Sequence, residues 1–130
     1  MSSDRELLLG LTDRRYRDVT VDMPDGSTHT FCIQSLTVAE RAKYLDSMWD
    51  KKTNKPAPLA EMQVRLVATT LVNADTKQPV FSQTDRTQLL NVDGSVIGQL
   101  HDAAADFCGI GKRRVEAEMG NSPETPDEDG

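Results

Sequence analysis

Large aromatic side chains are scarce in this chain of 130 residues, which has one Trp, two Tyr and three Phe. Interior volume must therefore come from Leu, Val, Ile and Met. The hydrophobic share of 37% allows one modest core, hence one domain. The two cysteines, Cys32 and Cys108, lie far apart and imply no disulfide framework. They are expected as free, mostly buried thiols in a reducing cytosol. No apolar run approaches the roughly 20 residues that cross a bilayer, and the N-terminus has no signal-peptide pattern. A soluble chain without membrane partners is expected. An excess of basic charge is also missing. The net charge is −6 and the pI about 4.8, which argues against a general nucleic-acid binder.

The acidity is local. After Arg114 no basic residue follows, whereas Glu116, Glu118, Glu124, Asp127, Glu128 and Asp129 do. Without those acids the body is close to neutral. Catalytic signatures are absent as well: there is no nucleophile elbow, phosphate loop or dinucleotide fingerprint. Gly109-Ile-Gly111-Lys follows a helical pattern rather than a strand, so it is a helix stop. His29 and Cys32, three apart in a strand pattern, point to opposite faces. His101 and Cys108 share a helix face but supply two ligands, short of a closed zinc set. Asp102 and Asp106, also on one helix face, could do acid–base work only in a cleft; a solvated face is the expectation. Lys51-Lys52…Lys55 and Lys112-Arg-Arg114 are basic but carry no interleaved aromatic. They suit a solubilising loop and a helix C-terminus. The expectation is a non-enzyme with no cofactor and no metal.

What the chain does have is an ordered series of local signals. Ser3-Asp-Arg-Glu6 caps a short helix through Leu7, Leu8, Leu9 and Leu11, with Gly10 its weak point. Val19, Val21 and Met23 alternate with polar residues, as in a half-buried strand. Pro24-Asp25-Gly26 supplies a turn, and Thr28–Ile33 returns with Phe31 and Ile33 on one face. Leu36 and Thr37-Val-Ala-Glu40 make a staple and capping box. They open a helix over about 38–49 with Val38, Ala42, Leu45 and Met48/Trp49 on its stripe. A Lys/Pro-rich exposed loop follows. A second helix spans about 58–72, with Leu59, Met62, Leu66, Val67 and Thr70/Leu71 on one face.

The segment Leu71–Leu90 is the most informative. It runs from the apolar helix through the polar turn Asn73–Gln78 to a lone Val80-Phe81 anchor. Ser82 or Thr84 then caps a short helix over 84–91. Asp93 or Ser95 opens a last helix over 95–108 with Val96/Ile97, Leu100, Ala103/Ala104 and Phe107/Cys108 inward. Lys112–Met119 adds a short helix, and 120–130 reads as a disordered acidic tail. The expected architecture is a mainly α (α+β) domain over 16–119 with an N-terminal hairpin over 18–34, preceded by an arm over 1–15. Tyr44, Met48, Trp49 and Met62 are adaptable groups suited to a protein interface. They are the candidate partner-binding residues, with core packing the alternative.

The order of these units resembles the tail assembly chaperones of long-tailed bacteriophages, functional analogues of the lambda tail chaperone. The resemblance runs from about Asp18 to Met119. It rests on the Pro24-Asp-Gly26 hairpin, Leu36-Thr37-Val-Ala-Glu40, Leu66-Val-Ala-Thr-Thr-Leu71, Pro79-Val-Phe81 with Asp85 and Leu89, and Phe107-Cys-Gly109. It departs at Asp75-Thr76, where a glycine is expected, and before Asp18. The resemblance implies binding to the tape measure protein, help for the major tail tube protein as it polymerises, absence from the finished virion, and action in the host cell cytoplasm. It also implies that many members exist in a second, frameshifted form. A head–tail connector and a small nucleic-acid-binding regulator are the alternative readings.

Overall fold

The computed structural model describes residues 3–82 and 84–110. The expected helix over 112–119 and tail over 120–130 lie outside the described residues.

The fold is α+β. Ser3 caps α1 (Asp4–Leu9) through a complete capping box with Glu6, and Gly10 ends it. β1 (Tyr16–Asp22) and β2 (Thr28–Gln34) form an antiparallel hairpin in which Val19 faces Phe31 and Arg17 faces Ile33. Its turn works as the sequence dictates. Gly26 takes φ +90°, a region open to glycine. Asp25 accepts from the Ser27 amide at 2.9 Å, and the Ser27 hydroxyl holds the Asp25 carboxyl below its ordinary range.

Thr37 caps α2 (Val38–Asp46), with the reciprocal bond from the Thr37 amide to Glu40 at 2.9 Å. The helix stops at Asp46 and does not reach Trp49. Ser47 instead closes the last turn, and Trp49-Asp50 (β3) pairs with Lys55-Pro56 (β4). Asn54, in the left-handed region at φ 58°, makes the bend between them, a conformation that asparagine tolerates.

α3 (Leu59–Thr70) is the centre of the core. Leu66, Val67 and Thr70 are fully buried, and the Thr70 hydroxyl donates to the Leu66 carbonyl at 2.8 Å. Two details differ from the periodicity. Leu59 is exposed, because it opens the helix beyond the edge of the core. Val64 is buried off the expected stripe, because α3 is covered on two sides, by the final helix and by a 3-10 helix. The expected continuation of α3 to residue 72 is also corrected. Leu71 turns extended, and Leu71-Val72 (β5) adds to β2 as the third strand, giving the order β1-β2-β5.

The short helix expected over 84–91 is a 3-10 helix over Arg86–Asn91 with Leu89 buried. α4 (Gly94–Phe107) is capped by Asp93, which accepts from the amides of Ser95 and Val96. It buries Val96, Ile97, Leu100, Ala104, Ala105 and Phe107. Its end is a Schellman closure. Gly109 has φ +72°, the Ile110 amide donates to the Ala105 carbonyl at 2.7 Å, and Gly109 donates to Asp106. α4 runs antiparallel to β1. Gln99 bonds both backbone groups of Asp22 at 2.9 Å, while Asp106 meets Arg17 at the other end.

Candidate partner-binding surfaces

Three surfaces follow from this framework. The first is a groove on the face of the sheet turned away from α4. Its floor is the start of β1 and the end of β2, at Tyr16 and Gln34. Its wall is the loop after β5. Asn73 builds that loop by an Asx turn, accepting from the amides of Asp75 and Thr76. The Val80 amide then donates to the Leu71 carbonyl, and Phe81 packs on the core. Lys77, at φ 63°, lays its ammonium 5.2 Å from the centroid of the Tyr16 ring. Arg14 and Glu40 close one end in a two-pronged pair at 2.6 and 2.9 Å. The opening measures about 600 Å³ and is open to solvent.

The Arg14–Glu40 pair fixes the connector between α1 and β1. Arg14 also donates to the Ser35 carbonyl at 2.9 Å. The bond from Arg14 holds the Glu40 carboxyl down at about 2, assisted by the Thr37 amide and against the opposing effect of its partial burial.

The second surface concerns the four residues singled out from the sequence. Tyr44 and Met62 are buried and bonded to each other, the phenol donating to the Met62 carbonyl at 3.2 Å. Burial pushes the Tyr44 phenol up to about 12. Met48 is half-buried and packs on the same core. Its carbonyl accepts from the Ala57 amide at 2.8 Å, which closes the open end of the β3–β4 hairpin. Trp49 is 48% exposed and stands opposite Pro56. The structure thus joins Tyr44, Met48 and Met62 and presents Trp49 beside them.

The third surface is the N-terminal arm, α1 and the turn after it. Leu7, Leu8, Leu9 and Leu11 are 61%, 66%, 59% and 71% exposed, and α1 buries none of its residues. Three consecutive leucines cover about 200° of a helix circumference, wider than the stripe of an ordinary surface helix. A helix of six residues is too short to persist on its own. The signal in the sequence is the Ser3–Glu6 capping box in front of three consecutive leucines.

The groups considered for chemistry lie apart. His29 packs edge-on to Phe31 at 4.6 Å, and Cys32 faces the other side of the sheet, buried near Lys77. His101 meets Asp102 at 3.1 Å, and the carboxylates of Asp102 and Asp106 both stand in solvent. Burial raises the Cys108 thiol above its ordinary range. Among the described residues no group of three or more His, Cys, Asp or Glu could hold a metal ion, and no helix is long and apolar enough to cross a membrane.

No family model matches this sequence, and no curated protein matches it. A solved structure does: the tail assembly chaperone of bacteriophage HK97, at 21% identity and a TM-score of 0.53. The match covers 81% of this chain and 98% of that one. This chain has a tail-assembly-chaperone-like fold. The likeness spans nearly the whole of the HK97 protein.

Proposed function

We propose that this chain is a phage tail assembly chaperone. It binds the tape measure protein in the host cell cytoplasm and keeps it soluble. It aids polymerisation of the major tail tube protein and is absent from the mature virion. The observation that carries this reading is the fold likeness to the HK97 tail assembly chaperone, over 81% of this chain and 98% of that one. The exposed apolar arm supports it. Covering these leucines removes apolar area from water, and a fully buried leucine gains roughly 1.5–3 kcal/mol. At exposures of 59–71%, four leucines offer on the order of 4–8 kcal/mol before the cost of association. That suits reversible capture of an apolar helix, by the mode in which amphipathic helices seat in grooves.

In this reading Trp49 and the exposed part of Met48 form a second contact. Tyr44 and Met62 hold that contact in place from behind. The chain acts without catalysis and takes no cofactor.

The test is co-expression of the full chain with the tape measure protein encoded in the same phage genome. A soluble, co-purifying complex, together with absence of the chain from purified virions, is the expected result. An insoluble tape measure protein, or the chain recovered as a ring in finished particles, would replace this reading with a head–tail connector.

A further inference from the structure

The groove between the sheet and the loop after β5 is arranged around one cation. Lys77 has a left-handed backbone at φ 63°, a region that costs an L side chain energy. Its amide is held there by the Asn73 carbonyl at 2.8 Å. A glycine would take that position without cost, so what the lysine contributes is its side chain. The ammonium reaches over the groove floor to 5.2 Å from the Tyr16 ring centroid. It donates to the Ala74 carbonyl at 2.6 Å and lies 3.9 Å from the Cys32 sulfur. None of these is a carboxylate, and among the described residues Lys77 has no ion pair. The other cation of the groove, Arg14, is already matched by its two-pronged bond to Glu40. The groove thus carries one positive charge without a counter-charge, in a chain whose net charge is −6.

We propose that this groove binds an extended acidic segment of a protein partner, with a carboxylate of that segment seated on the Lys77 ammonium. Its volume of about 600 Å³ falls within the roughly 300–1,000 Å³ of ligand sites. Its lining is mixed, as a peptide requires. Tyr16, Pro79 and Phe81 offer apolar area beside the charge. Gln34 donates to the Thr69 carbonyl at 3.0 Å, which orients its side-chain amide and leaves the amide oxygen for a peptide N–H. The Tyr16 ring restrains the ammonium, so less entropy is lost when a carboxylate arrives. A nucleic acid fits less well. Its phosphates repeat at every nucleotide, and one uncompensated cation with Glu40 at the end of the groove answers few of them. The contact involves neither the leucines of α1 nor Trp49, and being ionic it weakens as salt rises.

The test titrates the full chain, labelled with nitrogen-15, with a terminally blocked heptapeptide of alternating glutamate and leucine. The amides of Lys77 and Gln78 and the side-chain amide of Gln34 should shift, while the amide of the buried Leu66 stays fixed. Lys77→Gly suits the turn and removes the ammonium, so affinity should fall at least about tenfold, as the loss of one charge-assisted bond requires. The same loss should follow when glutamine replaces glutamate in the peptide, a comparison that leaves the protein unaltered. Lys77→Arg, which keeps the charge, should bind within about threefold of the parent. Equal affinity for the glutamate and glutamine peptides would overturn the proposal. So would shifts that spare Lys77, Gln78 and Gln34, or no shifts at millimolar peptide. A short single-stranded DNA that moves the same signals at lower concentration would overturn it in favour of a nucleic-acid contact.

Discussion

Replacing Glu40 with Gln isolates the charge of the clamp that holds the α1 connector to α2. Gln serves at the third position of a capping box as well as Glu does, so the bond from the Thr37 amide survives. What disappears is the ionic part of the pair with Arg14. The fall of the Glu40 carboxyl from its ordinary 4.5 to about 2 corresponds to about 3 kcal/mol for a dry pair, at roughly 1.4 kcal/mol per pH unit. The two side chains are 31% and 37% exposed, and solvent screening reduces that to roughly 1–2 kcal/mol. The sign follows from linkage. A carboxyl with a lowered folded-state pKa stabilises fully above about 4.5, and the contribution drains away as pH falls through about 2. Urea unfolding of the Glu40→Gln variant at pH 7 should therefore show a loss of about 1–2 kcal/mol against the parent. The gap should narrow below pH 4.5 and close near pH 2. A gap of constant size from pH 7 to 2.5 would refute the reasoning, because it would trace the loss to packing rather than charge.

Leu66→Ala removes a fully buried side chain from the middle of α3 and should cost about 2–5 kcal/mol in the same assay. Gly26→Ala meets open space but a left-handed backbone, so a loss of roughly 1–2 kcal/mol without change of fold is expected; thermal unfolding and circular dichroism measure both. Cys32 is 2% exposed, so a thiol reagent should modify it only as fast as the domain opens, and faster in rising urea. Leu8→Asp with Leu11→Asp should leave stability within about 0.5 kcal/mol, because neither residue is buried. The double variant should nonetheless lose capture of the tape measure protein in a pull-down.

Local chemistry made much of this fold readable. The capping pairs Ser3–Glu6 and Thr37–Glu40, the Asp25-Gly26 turn and the Asp93 cap each involve residues within three positions, so they act before any tertiary contact. What was not readable depends on distant partners. Leu71-Val72 looks like the last turn of an apolar helix, and it becomes a strand only because Cys32 and Ile33 offer a free edge at matching register. Trp49 fits the stripe of α2, but the ladder with Pro56 takes it out of the helix. Val64 is buried because α3 has neighbours on two sides, which single-face periodicity does not encode. For the candidate surfaces, adaptable side chains marked Tyr44, Met48, Trp49 and Met62. Burial divides them, and four further exposed leucines lie in and just after α1, where they resemble core until the described body is seen to pack without them.

Hydrogen exchange across α1, in the free chain and in the chain co-expressed with its tape measure protein, tests the central claim most directly. A six-residue helix that buries nothing exchanges at nearly the open-chain rate when free. If a client helix covers the leucines, the amides of Leu7, Leu8 and Leu9 should slow by at least an order of magnitude in the complex, as a gain of ~1.4 kcal/mol or more requires. A complex in which those amides exchange as fast as in the free chain would contradict the account.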